Sequence, residues 1–225
     1  ELGSAAPADT GDRSTAWVLG AIGLAILVGA PFVVYPIFLI ELLCMALFAC
    51  AYNLLIGGGG LLSIGHAAFW GGGAYIAAQG AKMWGFNFEF ALLAGTATGA
   101  FLGLIVGIIA IRKSGLIFAM VTLALAQAVY FLALRLPFTH AEDGIQAVPR
   151  GWLFGVVDLR NTMAMYFVTA AIFLAGYLLV ARVWRSPFGQ VLRAIKDNQP
   201  RMVSLGYPVD RYKLINFVLS AGLAG

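Results

Sequence analysis

From Phe88 to Ile111 the chain reads "FEFALLAGTATGAFLGLIVGIIAI", apolar apart from Thr96 and Thr98 and uncharged except for Glu89 near its start. As a helix rising about 1.5 Å per residue, such a run covers the roughly 30 Å hydrocarbon core of a bilayer. Similar runs recur at about Trp17–Leu39, Leu42–Ile56, Leu61–Ala81, Leu116–Leu134 and Met163–Val183. The first contains Pro31 and Pro36, which are expected to kink or end it near one interface. With 61% of residues hydrophobic and 11% charged, no soluble domain could bury this surface. The runs lack the strict alternation of a membrane barrel strand. The expected fold is therefore all-α, a polytopic transmembrane helix bundle of six full spans. From Leu214 the chain is apolar again for "LINFVLSAGLAG", at about 18 Å too short to cross and so read as the start of a seventh span. On this reading the chain is a C-terminally truncated piece of a longer protein.

Residues 1–16 form a polar tail without the basic n-region and short apolar core of a secretory signal, and 17–225 form one membrane domain. Charge placement orients it. Arg112 and Lys113 lie between spans four and five. Arg182, Arg185, Arg193, Lys196, Arg201, Arg211 and Lys213 put seven of the fourteen basic residues after span six. Basic residues stay on the cytoplasmic side, so the N-terminus and the 184–212 loop are expected inside and the Arg135–Asn161 connection outside. Cys44 and Cys50, six residues apart on one span, do not face each other and are read as unpaired core or lipid-facing residues.

The loop "SPFGQVLRAIKDNQPRMVSLGYPVDRYK" opens with Ser186 as N-cap and Pro187 in the first turn of a helix. Phe188, Val191, Leu192 and Ile195 then share one face, with Gln190, Arg193, Lys196 and Asp197 on the other. Pro200 should stop this helix, and a second short one should end at Gly206. Such a pair lies on lipid headgroups or docks its apolar face into a groove on a cytosolic partner. Spacing alone leaves both open.

The stretch "IGGGGLLSIGHAAFWGGGAYIAA" is apolar yet rich in glycine, a poor helix former. Gly57–Gly60 should break the chain between spans two and three. Gly71, Gly72 and Gly73, with Ala67, Ala68 and Ala74, should offer a small-residue surface for close packing. Ser63, Gly65 and His66 fit an interrupted helix lining a transport path, as in transporters with broken helices. Asn53 and Gln127 join them as path candidates. Each has a plainer alternative: His66 and Ser63 satisfying nearby backbone groups, and the two amides bonding helix to helix. Glu41 and Glu89 fall near expected span ends, where a solvated carboxylate costs little.

Catalytic chemistry finds no support. There is no G-x-x-x-x-G-K-[ST] run for ATP, no H-E-x-x-H or other metal-ligand spacing, no G-x-S-x-G elbow and no basic, aromatic-rich tract for nucleic acid.

Three segments taken together, "GGLLSIGHAAFWGGGAYIAA", "EDGIQAVPRG" and "SPFGQVLRAIKDNQPRMVSLGYPVDRYKLINFVLSAGLAG", resemble the permease subunits of branched-chain amino-acid ABC importers, most closely the M-type (LivM-like) member of the pair. The resemblance implies a multi-pass protein of the bacterial inner membrane, paired with a second homologous permease subunit. It also implies two cytosolic ATPase subunits, which would bind the ATP, and a periplasmic substrate-binding protein; no cofactor is expected on this chain. The 184–212 loop would be the coupling element on an ATPase, with Phe188, Gly189, Leu192, Arg193, Ala194, Ile195 and Gly206 as the carried-over positions. One departure is "THAEDGI", where His140 and Ala141 replace the usual glycines. Related importers carry urea or short amides on similar scaffolds. An ion-coupled secondary transporter is a further alternative, which the scarcity of ionisable residues within the spans disfavours.

Overall fold

The computed structural model describes residues 23, 25–113, 115–136, 139, 144–153, 155 and 157–225. The tail, the start of the first run and His140–Asp143 lie outside the described residues.

The first run ends before Pro36, as the prolines led one to expect, and Pro36 begins the next helix. A proline needs no N–H partner in a helix's first turn and forces the preceding residue to be extended. Tyr35 is indeed extended at φ −58°, ψ 121°, after a 3-10 turn at Ala30–Phe32. Helix α1 runs Pro36–Asn53 and continues as a π-helical turn, Leu54–Gly58. Glu41 thus sits within α1, exposed on its surface. The chain reverses at Gly60, φ +63°, a left-handed conformation that glycine adopts without strain. After a 3-10 turn at Ile64–His66 come α2 (Ala67–Met83), α3 (Phe88–Ala110) and α4 (Gly115–Arg135). A two-stranded antiparallel pair, β1 (Trp152–Leu153) with β2 (Val157–Asp158), leads to α5 (Thr162–Arg185). Three shorter helices close the chain: α6 (Pro187–Asp197), α7 (Gln199–Ser204) and α8 (Val209–Ala224).

The architecture is all-α apart from the small β pair. Among the described residues four helices are long and apolar enough to cross a membrane: Pro36–Gly58, Phe88–Ala110, Gly115–Arg135 and Thr162–Arg185. Helix α2, with 17 residues, is about 25 Å long and falls short of that length. Cys44 and Cys50 are both free.

The short last helix is the centre of the bundle. Helix α8 packs on α1, α2 and α3, and Asn216, Phe217, Ser220 and Ala221 are fully buried. It approaches α3 closely because Gly95, Gly99, Gly103 and Gly107 recur every four residues and form one bare stripe. A Cβ at Gly99 would stand 2.6 Å from the Ala221 carbonyl oxygen, and one at Gly103 would fall on the Ala221 Cβ. Around this contact the rings of Phe69, Phe118 and Phe217 meet edge to face at 5.5–5.9 Å. A second cluster, Leu39, Leu43, Tyr166 and Ala170, joins α1 to α5, with Tyr166 donating to the Leu27 carbonyl at 2.6 Å.

Candidate functional site

The break between α1 and α2 wraps around two polar residues of α8. The Asn216 amide donates to the Leu54 carbonyl at 3.3 Å, inside the π turn. One helical turn on, the Ser220 hydroxyl donates to the Ala51 carbonyl at 2.5 Å and also lies 3.1 Å from His66 Nε2. A serine has one proton to give. With that proton on Ala51, Nε2 must carry its own and donate to Ser220. His66 is further boxed by Phe48, Tyr52, Phe69 and Phe217, at ring distances of 5.2–6.4 Å. Its Nδ1, the Ser63 hydroxyl and the Asn216 Oδ1 are buried with no hydrogen-bond partner among the described residues. Ser63 and His66 therefore face the interior of this chain.

Gly65 faces the other way, against α4. A Cβ there would fall on the Thr122 carbonyl oxygen and stand 2.8 Å from the Ala126 Cβ, so only glycine lets α4 seat against the 3-10 turn. Beside it opens a cavity of about 280 Å³ between α2 and α4, lined by Gly65, Gly71, Gly72, Tyr75, Gln127 and Tyr130 among others. Here the glycine reading divides. Gly73 touches the Gly225 backbone and Gly72 the Leu102 side chain, as close packing requires. Gly71 has nothing within 4 Å and serves as bare cavity wall instead.

Of the five path candidates, Gly65 and Gln127 meet at this cavity, while Ser63 and His66 lie behind it. Asn53 stands apart, exposed on α1 beside Gly57. The sequence reading missed Tyr75, Tyr130, Asn216 and Ser220. The last two are four residues apart within "LINFVLSAGLAG", and two polar side chains on one face of an apolar run were a usable signal.

The loop helices are capped as expected at Ser186 and Gly206. The Ser186 hydroxyl oxygen accepts from the Gly189 N–H at 3.3 Å. Asn198 ends α6 and caps α7, accepting from the Arg201 N–H at 3.1 Å, so Pro200 starts the second helix instead of stopping the first. At its far end Gly206 has φ +83°, with Gly206 N–H on the Val203 carbonyl and Tyr207 N–H on Met202. That is a Schellman cap.

The apolar face of α6 is filled by this chain itself. Leu192 and Ile195 are buried; Ile195 packs with Met202 and Val209, and Leu192 meets Gly58. Gly189 sits against the Val183 and Trp184 carbonyls, Phe188 stacks on Tyr212, and Ala194 lines the Ile195 cluster. Arg193 donates to the Trp184 carbonyl at 3.0 Å and lies over its indole at 5.6 Å. Two contacts tie the loop to the break: Lys196 donates to the Gly57 carbonyl at 3.2 Å, and the Trp184 ring lies against Gly57. What α7 and its cap leave uncovered is Val203, Leu205 and Tyr207.

A family model described as the permease component of the branched-chain amino acid transport system matches residues 34–225. The high-affinity branched-chain amino acid transport system permease protein LivM of Salmonella typhimurium is 28% identical over 197 residues, covering 77% of this chain and 46% of that protein. The protein of the same description from Escherichia coli K12 is 26% identical over 196 residues, with the same coverage of 77% and 46%. The chain thus spans about half the length of the curated relatives it matches. No solved structure matches it.

Proposed function

Since this chain belongs to the branched-chain amino acid transport permease family, we propose that it forms part of the translocation path of an ATP-driven importer for branched-chain or related small amino acids. In this reading it lies in the bacterial inner membrane as six spans and the start of a seventh, with the N-terminus and the 184–212 loop in the cytoplasm. The short α2 serves as a span together with its irregular approach, of which Gly58, Gly59, Leu61, Ser63, Gly65 and His66 are buried in protein, where non-helical backbone is tolerated. A second homologous permease subunit completes the path, a periplasmic binding protein delivers substrate, and two cytosolic ATPase subunits bind and hydrolyse the ATP.

One observation carries the mechanism: α6 grips the helix break at Gly57 through Lys196, while Trp184, at the end of α5 that leads into it, lies against the same glycine. A push on the loop from the ATPases moves α6 as a rigid piece, since its apolar face is already packed. The displacement passes to the π turn and the glycines after it, and from there to Gly65 at the cavity wall. The carried-over positions Gly189, Leu192, Ile195 and Gly206 thus build the coupling element, and the exposed Val203, Leu205 and Tyr207 make its contact with the ATPase.

Co-purification of the assembled importer tests this. Leu205→Asp and Val203→Asp are expected to release the ATPases while leaving the permease folded. Ile195→Asp is expected to disrupt the loop itself, seen as rapid proteolysis there. Retention of the ATPases by the Leu205 and Val203 variants would sink the docking role.

A further inference from the structure

At the end of the bundle opposite α6 and α7 lies a second cavity, of about 370 Å³, within the range of small-molecule sites. It opens between the last turns of α2, the first turns of α3 and α5, and the loop Val148–Gly151. Ala77, Ala81, Phe86, Leu92 and Met165 give it an apolar wall, and Leu159, fully buried, is part of its lining. The small alanines of α2 leave the space that larger residues would fill. Phe86 is held in the wall by its N–H on the Gly80 carbonyl at 3.0 Å and its ring against Gly80.

Among the described residues that line it, only Arg150 carries a polar side chain. It makes no hydrogen bond or ion pair with any described residue. The loop that presents it is anchored on both flanks. Lys82 donates to the Gln146 carbonyl at 2.9 Å, and the Leu159 N–H reaches the Gly151 carbonyl at 3.4 Å. Between these anchors Ala147 adopts φ 55°, a left-handed conformation rarely taken by a residue with a side chain.

An apolar chamber with an arginine in its lining suits a small molecule with a hydrocarbon body and a carboxylate, because a guanidinium's planar fork matches carboxylate geometry. We propose that this cavity is an outer subsite for the transported aliphatic amino acid, with its carboxylate on Arg150 and its side chain between Ala81, Phe86, Leu92 and Met165. The proposal rests on the transport reading above and adds a site to it, distinct from the cavity at Gln127.

The complete importer, reconstituted in nanodiscs without its binding protein, is titrated with radiolabelled leucine by equilibrium dialysis. Saturable binding is expected, weakened about tenfold by Arg150→Gln through loss of a charged hydrogen bond, and less by Arg150→Lys. Ala81→Phe, which fills the chamber, should abolish it. Competition should come from 4-methylpentanoate, which keeps the carboxylate, and not from leucinamide, which lacks it. Absence of saturable binding, binding indifferent to Arg150→Gln, or equal competition by leucinamide each overturns the subsite. Arg150 is exposed, so its variants test the idea even if Ala81→Phe fails to fold. ATP-driven leucine uptake by the same preparation with its binding protein separates the two readings. No uptake by the wild type overturns the transport reading; normal uptake without dialysis binding overturns the subsite alone.

Discussion

Replacing Gly65 by alanine tests whether the glycine-rich segment exists for close approach. The new Cβ would fall on the Thr122 carbonyl oxygen, with the Ala126 Cβ and the Thr122 carbonyl carbon both at 2.8 Å. None of these atoms sits at the end of a flexible side chain, so α4 or the 3-10 turn must move bodily. Overpacking of this kind costs about 1–3 kcal/mol. Alanine regains up to about 1 kcal/mol of the backbone entropy that glycine loses on ordering. Because these atoms cannot yield, the cost lies in the upper part of that range, about 2–3 kcal/mol. The net loss is then about 1–3 kcal/mol, which at roughly 2–4 °C per kcal/mol lowers the melting temperature by about 2–12 °C. Gly71 is the control, six residues on and within α2. With nothing inside 4 Å of its Cβ position, Gly71→Ala meets no clash and gains the helical propensity, raising the melting temperature by about 2–4 °C. Thermal unfolding of both purified variants in one detergent, followed by tryptophan fluorescence, decides. Equal shifts in the two variants, or an unchanged Gly65→Ala, would refute the claim that backbone approach dictates glycine here.

Three further outcomes follow from the same contacts. Gly103→Ala should be destabilising and Ala221→Gly should relieve it, with a coupling of about 0.5–3 kcal/mol in a double-mutant cycle, because the new Cβ would clash with the Ala221 Cβ. Ser220→Ala should cost about 1–3 kcal/mol by stranding the His66 Nε2 proton; adding His66→Phe should recover part of it, measured in the same melting assay. Lys213, on the loop side of the apolar run from Leu214, is buried with its ammonium on the Gln199 side chain at 2.7 Å. Burial pushes this lysine below its usual range, against the opposing pull of Asp210. The folded state therefore sheds the proton first, so the cost of burying the charge is whole below the folded-state value and disappears as pH rises from there to the unfolded value of 10.5. Wild-type stability should rise relative to Lys213→Met across that alkaline window; parallel pH curves would refute it.

Legibility in the sequence followed the range of the interactions involved. Helices α3, α4 and α5 were readable to within two residues because each is a long apolar run closed by local signals, such as Asn161 capping α5 through the Met163 N–H at 3.0 Å. Ser186, Gly206 and the break at Gly57–Gly60 were readable for the same reason. That Pro36 also starts the next helix, six residues before the Leu42 expected, was not legible, because a proline that ends one helix and a proline that starts the next look alike until the neighbouring backbone is known. The direction in which Leu192 and Ile195 face was beyond local pattern, since an amphipathic helix shows that it has an apolar face and not what covers it.

The largest gap concerns α8, and it points to how the site is assembled. Hydropathy weighs a segment by its length, so "LINFVLSAGLAG" ranked as an incomplete span. In the fold its small residues, Ser220, Ala221 and Gly222, let it lie against the glycine stripe of α3 and beneath the break of α1. The stripe at Gly95, Gly99, Gly103 and Gly107 was visible in the sequence as a four-residue repeat, but its partner was not, because the partner lies more than a hundred residues further along the chain. That contact brings Asn216 and Ser220 level with Leu54, Ala51 and His66. The break is therefore held from two sides, by α8 within the bundle and by Lys196 and Trp184 at its edge. A segment pinned at both sides but left helically irregular between them can shift as a unit without unfolding. In this protein that segment carries Gly65 to the wall of the cavity, which is why its glycines sit where they do.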